Sequence, residues 1–91
     1  MIGSVRLEFH LPGCHSLKEK RSALKRFLEH IRRDFGVAAA EVDEQDHWQS
    51  AVVEAAAVGN ERAHLHSVLT RVVNEAERPG EMILTRCEMN V

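Results

Sequence analysis

The chain has 91 residues, of which 44% are hydrophobic and 29% are charged. This composition is typical of a globular protein, so we expect one domain over residues 1–91 and exclude a disordered chain. No run approaches the ~20 apolar residues of a membrane-spanning helix. The alternating N-terminus also lacks the apolar region of a signal peptide, so we predict a cytoplasmic protein with no membrane partner. Two cysteines, Cys14 and Cys87, are too few to predict a disulfide framework.

Charge is distributed unevenly along the chain. The formal net charge is −2, yet residues 1–35 carry eight Lys or Arg against four Asp or Glu, a balance of +4. Residues 36–91 carry four against ten, a balance of −6. The overall charge argues against a general nucleic-acid binder, and we expect no DNA partner. The concentration of basic residues in one part of the chain nevertheless predicts a local site for a polyanion.

The sequence of the first half predicts a strand, a helix and a short segment that could be either a strand or a helix. Residues 4–11 alternate between apolar and polar side chains, which is typical of a strand with one buried face. Residues 17–35 carry apolar side chains at helical spacing. Ser16 and Glu19 have the spacing of a capping box, so we expect a helix that begins at Leu17 and ends before Gly36. Residues 37–42 fit a strand or a helix by period alone.

The sequence of the second half predicts a second helix with one strand before it and one strand after it. A polar turn at residues 43–47 precedes a largely apolar strand over residues 48–58. Asn60 follows as a plausible N-cap, and apolar residues then recur at helical spacing from Leu65 to Ala76. Pro79 and Gly80 end the helical pattern, and residues 82–91 form the last strand.

The predicted order β-α-β-β-α-β favours an α+β fold, the ferredoxin-like split βαβ sandwich. In this architecture two helices cover one face of a four-stranded antiparallel sheet, and the other face stays open. The topology brings four segments to one end of the sheet: residues 12–15, the start of the first helix, residues 43–47 and residues 79–80. We therefore expect the candidate chemistry of this chain at that end.

Three groups of residues resemble motifs of the small bacterial YlxP-like family, a family of unknown function. They are Pro12–Arg21 (PGCHSLKEKR), Ala40–Asp43 with Gln45-Asp46 and Trp48-Gln49, and Asn60–His64 (NERAH). The resemblance covers essentially the whole chain and implies a ferredoxin-like fold. Genes of this family often lie beside those for initiation factor two and ribosome-binding factor A, so the resemblance implies a link to translation or ribosome maturation. Ribosomal RNA or the ribosome is therefore the partner that we expect. No catalytic residues are established for the family, so none is carried over.

The start of the first helix carries five basic residues: Lys18, Lys20, Arg21, Lys25 and Arg26. Cations are unfavourable at the positive end of a helix dipole, so an anion is expected to meet them. Together with the N–H groups after the capping residue Ser16, they predict a site for RNA phosphates. Lys20 and Arg21 also lie three and four residues after Leu17, where the helical period asks for an apolar residue. Alternatively, their aliphatic stems pack at the core edge while their charges reach solvent.

The open face of the predicted sheet is a second candidate surface. Sheet-face RNA recognition needs aromatic residues on the central strands, and of the four aromatic residues only Trp48 could lie there, so we reject this mode. We expect Trp48, Val52 and Leu84 to point outward and to form a homodimer interface or a contact with another protein. An ordinary central strand with partly exposed small residues is the alternative.

Cys14, His15 and Arg21 suggest a third hypothesis, a small anion- or phosphate-handling enzyme. A thiol just before a helix N-terminus and near a histidine would have its thiolate favoured. Side chains at residues 10, 14, 15, 43, 46 and 47 could share one end of the sheet, but no metal-ligand pair with an established spacing is present. We therefore predict a non-catalytic binding module with no metal and no cofactor.

Overall fold

The computed structural model describes residues 1–91 and contains six elements in the predicted order: β1 (Ile2–His10), α1 (Leu17–Phe35), β2 (Ala38–Asp43), β3 (Ser50–Val58), α2 (Arg62–Ala76) and β4 (Ile83–Asn90). The strands form one sheet in the order β2-β3-β1-β4, and every neighbouring pair is antiparallel. The segment over residues 37–42, whose period fitted either a strand or a helix, therefore forms the strand β2. This arrangement confirms the predicted α+β ferredoxin-like fold.

The hydrophobic core lies between the helices and one face of the sheet. Residues 3, 5, 7 and 9 of β1 are buried and the residues between them are not, as the strand period requires. Leu24 and Ile31 of α1 and Leu69 and Val72 of α2 pack against this face. Each helix thus buries one stripe, and the even-numbered residues of β1 point to the open face. Neither helix is long and apolar enough to cross a membrane.

The ends of α1 follow the predicted capping signals. The Ser16 hydroxyl accepts a hydrogen bond from the Glu19 N–H at 3.1 Å, and the Glu19 carboxylate accepts one from the His15 N–H at 2.6 Å. Gly36 ends the helix in the left-handed conformation with φ of 65°, which favours a residue without a side chain.

The start of α2 differs from the prediction by one residue. Its N-cap is Glu61 rather than Asn60, and no side chain caps it. Strand pairing explains the shift, because Met1 and Gly59 exchange two backbone hydrogen bonds of 2.8 and 3.1 Å beyond the Ile2–Val58 pair. The chain therefore leaves the sheet one step later than the Gly59-Asn60 signal suggests.

The predicted gathering of loops at one end of the sheet is confirmed. The Gln49 amide donates to the carbonyl oxygens of Pro12 at 3.4 Å and Cys14 at 3.0 Å. Arg26 of α1 forms an ion pair with Glu81, which precedes β4. These contacts join the β1–α1 loop, the β2–β3 loop and the segment before β4 around the first turns of α1.

Candidate functional site

Lys20 is a buried cation at the centre of this end of the molecule. Its side chain is 0% exposed, and its ammonium lies 2.8 Å from the Glu41 carboxylate of β2. The same ammonium donates to the carbonyl oxygens of Glu44, Gln45 and Ser50 at 2.7, 3.3 and 3.1 Å. Glu41 Oε2 is buried and has no other partner. Lys20 therefore neutralises a buried carboxylate and holds the β2–β3 loop against α1.

The prediction that Lys20 contacts RNA phosphate is wrong, because its charge is enclosed and fully engaged. The alternative, in which only its stem packs and the charge reaches solvent, is also wrong for this residue. The spacing of Lys20 from the apolar residues of α1 is the sequence signal from which its burial could have been predicted. Lys20 lies 4, 7 and 11 residues before Leu24, Phe27 and Ile31, so it belongs to the buried stripe itself.

Three other predicted residues lie together on the opposite side of α1. Lys18, Arg21 and Lys25 are all exposed, and none has a carboxylate partner within 4.0 Å. Their spacing of three and four residues places them on one face over two turns. We call these three residues the α1 cation stripe. It points to solvent because the buried residues of α1 occupy the other side of the helix.

The remaining residues of the predicted anion site are occupied within the protein. Arg26 forms an ion pair with Glu81 and donates to the Ser22 hydroxyl at 3.2 Å, with more than half of its side chain still exposed. Ser16 caps α1, as predicted. The structure thus divides the basic residues of α1 between internal contacts and the α1 cation stripe.

The three residues predicted to form an interface do not share one surface. Leu84 lies opposite Phe9 and packs against the core on the helix side of the sheet, so its predicted outward position is wrong. A β-bulge is the reason. The register of β1 and β4 shifts between Glu8 and Phe9, and this shift reverses the face of the residues before it in β4.

Val52 does lie on the open face, across from Glu8, but it is only 5% exposed. Charged side chains surround it on this face. Arg6 lies 3.6 Å from the Asp43 carboxylate, and Arg86 lies 3.9 Å from that of Glu8. The centre of the open face is therefore a network of ion pairs and not the half-apolar surface that the sequence predicted.

Trp48 lies in the β2–β3 loop and not on the sheet, because β3 begins two residues later at Ser50. The Ser50 carbonyl is bound by Lys20, and the Gln49 carbonyl accepts the Leu11 N–H at 2.9 Å. Trp48 is 51% exposed and lines a groove with residues of the loop, the end of β1 and the start of α1. We call this feature the Trp48 groove.

The proposed catalytic thiol is buried and chemically disfavoured. Cys14 is 5% exposed, and burial, followed by the charges of Glu19 and Glu81, raises the pKa of its thiol. The thiolate is the nucleophilic form, so this environment opposes the activation that the sequence suggested. His15 is exposed, and its N–H is bound to Glu19. No three His, Cys, Asp or Glu side chains are arranged to hold a metal ion.

Replacing Lys20 tests its structural role. We expect Lys20→Ala to lower the free energy of unfolding by about 3–5 kcal/mol, because it leaves a buried carboxylate without its cation. Arg21→Ala, the exposed neighbour, serves as the control and should change it by less than about 0.5 kcal/mol. Urea denaturation measures both. Equal midpoints for the two variants would contradict the role assigned to Lys20.

Alkylation of the two cysteines tests the chemistry of Cys14. Both thiols are free, and Cys87 is exposed. Because the pKa of Cys14 is raised, its thiolate fraction at neutral pH lies below that of an ordinary cysteine and increases only as pH rises. We expect iodoacetamide to modify Cys87 first, as read by peptide mass spectrometry, and to reach Cys14 readily only in urea. Modification of Cys14 as fast as Cys87 in the folded protein would revive the enzyme hypothesis.

Comparison with known proteins places the chain in a family. The model of the family described as "Protein of unknown function (DUF503)" matches residues 2–89. The chain is 38% identical over 73 residues to the uncharacterized protein YlxP of Bacillus subtilis (strain 168). This match covers 80% of the chain and 79% of that relative. These findings confirm the resemblance noted in the sequence: the chain belongs to the DUF503 family of YlxP-like proteins.

Proposed function

We propose that this protein is a non-catalytic module that binds structured RNA, with ribosomal RNA as the first candidate. The observation that carries this proposal is the α1 cation stripe, three exposed basic side chains on one helix face without an acidic partner. Phosphate groups are the anions that such a stripe would neutralise. The gene neighbourhood implied by the family resemblance favours RNA among the possible polyanions.

The distribution of cations over the whole protein supports the choice of this face. Of the 12 Lys and Arg residues, seven are engaged within the protein. Six form ion pairs with carboxylates, at residues 6, 20, 26, 33, 78 and 86, and Arg32 donates hydrogen bonds to a backbone carbonyl. The five others are the α1 cation stripe together with Arg62 and Arg71 of α2. Arg62 and Arg71 are nine residues apart, which places them on opposite sides of α2. The stripe is therefore the one concentrated group of unpaired cations.

The energetics of the stripe favour an external anion. Like charges three or four residues apart destabilise a helix by a few tenths of a kcal/mol per pair, roughly 0.2–0.5 kcal/mol. A bound phosphate would remove this repulsion and release counterions from the RNA. Contacts of this kind set affinity and orientation but read no sequence. We therefore expect salt-sensitive binding with little dependence on base sequence in the paired part of the RNA.

Neutralising two residues of the stripe tests the proposal. The variant combines Arg21→Gln and Lys25→Gln, which keep good helix formers, and the control combines Arg62→Gln and Arg71→Gln, which remove the same charge from α2. Each lost phosphate contact reduces the slope of log affinity against log salt by about 1, so the variant should lose about 2 and the control nothing. Anisotropy of a labelled RNA hairpin gives both slopes.

Two results would contradict the proposal. One is identical affinity and salt slope for the two double variants. The other is no binding of the hairpin by the wild-type protein at low salt. Circular dichroism of each variant establishes that the fold is retained, which the exposed positions of all four residues lead us to expect.

A second proposal, homodimerisation, concerns one end of the open face. Ile2 and Val58 lie side by side in adjacent strands and are 71% and 79% exposed. Ala56 and Ala38 extend this apolar surface across β3 and β2. Apolar side chains exposed together favour an interface between copies, and a two-fold axis would bring the same patch of both copies together.

Sedimentation velocity tests the dimer. We expect the wild-type protein to sediment as a dimer and Val58→Asp to sediment as a monomer, because a carboxylate would be desolvated at the interface. Trp48→Ala is the control and should leave the dimer intact, since Trp48 lies at the opposite end of the sheet. A wild-type monomer at high micromolar concentration would contradict this second proposal.

A further inference from the structure

The Trp48 groove lies outside the α1 cation stripe but adjoins it at the start of the helix. Leu17, the first residue of α1, lines the groove and is followed directly by Lys18. Trp48 is the other hydrophobic residue of the lining, and His10, His47 and Asp46 are among its polar residues. The groove thus combines two apolar residues with several polar ones and has a cation next to it in the chain.

Trp48 is the one Trp, Tyr or Phe ring available for stacking. The chain has no tyrosine, Phe9 is buried, and Phe27 and Phe35 pack against the core. The backbone that follows Trp48 is anchored, because Lys20 binds the Ser50 carbonyl and Gln49 bonds to the β1–α1 loop. A half-exposed aromatic ring on an anchored backbone offers a stacking surface whose loop needs little ordering when a ligand binds.

The polar residues of the groove can contact the edge of a stacked base. The Nδ1 atom of His10 donates to the Gln49 carbonyl at 3.1 Å, which leaves Nε2 unpaired. Asp46 supplies an acceptor for an exocyclic amino group. Its negative charge disfavours a phosphate inside the groove itself, so the phosphates must lie outside it, toward Lys18. A base in the groove, with its phosphates on the helix, would use both the acceptor at Asp46 and the cation at Lys18.

We propose that the Trp48 groove receives one unpaired nucleobase, stacked on the indole, while adjoining phosphates contact Lys18 and Arg21. This inference rests on the proposed function and specifies its RNA. The α1 cation stripe alone would accept any phosphate backbone. The groove requires an unstacked base, which loops and bulges offer and a continuous duplex does not. The protein should therefore prefer an RNA hairpin with an unpaired loop over the same stem closed as a duplex.

Intrinsic fluorescence tests this directly, because Trp48 is the single tryptophan of the chain. The probes are an RNA hairpin with an unpaired loop and a blunt duplex of the same stem sequence. We expect the hairpin to quench Trp48 fluorescence at saturation and the duplex to leave it nearly unchanged. Trp48→Ala should weaken hairpin binding by about 5- to 150-fold, the effect of losing one stacked base, and leave duplex binding unchanged. Trp48→Phe retains a stacking ring and should recover most of the affinity.

The outcomes separate this inference from the proposed function. If Trp48→Ala binds the hairpin like the wild type while Arg21→Gln with Lys25→Gln does not, the phosphate surface stands and the base site is excluded. If Trp48→Ala weakens hairpin and duplex equally, Trp48 does not discriminate unpaired bases and the inference is overturned. If the wild type binds neither RNA, both the proposed function and the inference fail.

Discussion

The enclosed ammonium of Lys20 determines how the end of the protein around the start of α1 is built. A buried charge of this kind is tolerated only when its partners are complete, and here one carboxylate and three carbonyl oxygens surround it. Two of the carbonyls belong to the β2–β3 loop and the third to Ser50, the first residue of β3, so the position of that loop depends on a side chain from α1. Trp48 lies between two of these anchored carbonyls, at Gln45 and Ser50. The placement of the groove beside the helix start therefore depends on the contacts of Lys20, together with those of Gln49 with the β1–α1 loop.

The contact of Lys20 with Glu41 also distinguishes the charge of α1 that is used inside the protein from the charge that faces solvent. Lys20 and Arg21 are adjacent in sequence, and composition alone gives no reason to treat them differently. The helical period places Lys20 in the stripe with Leu24 and Ile31, whereas Arg21 falls on the solvent side with Lys18. An acidic chain can in this way present a local basic surface, because half of its cations pair with its own carboxylates and three of the unpaired ones lie on one face of α1. Affinity for a polyanion then depends on where the unpaired charges lie and not on the net charge.

Local patterns predicted the elements well, and contacts distant in sequence account for the errors. Alternation in β1 and the signals at Ser16 and Gly36 concern neighbouring residues, and they gave the correct strand face and the correct bounds of α1. The position of Leu84 depends on a bulge that inserts one residue into β4, which no period of β4 announces. Trp48 begins the segment that the sequence predicts as a strand, yet it lies in the loop, and partners from the β1–α1 loop and α1 bind the carbonyls of Gln49 and Ser50 that follow it. The helical period places Lys20 on the buried side of α1, but its ion pair could not be predicted without knowing that Glu41 faces it from another element, the strand β2.

The most direct test of this account is an amide NMR titration of labelled protein with an RNA hairpin that has an unpaired loop, at low and at moderate salt. We expect salt-sensitive shifts along the exposed side of α1 between Leu17 and Glu29, together with the indole N–H of Trp48. Resonances of the open sheet face, such as those of Arg6 and Glu54, should not move. Shifts confined to the open face, or no shifts at either salt concentration, would contradict the assignment of α1 as the RNA-binding surface.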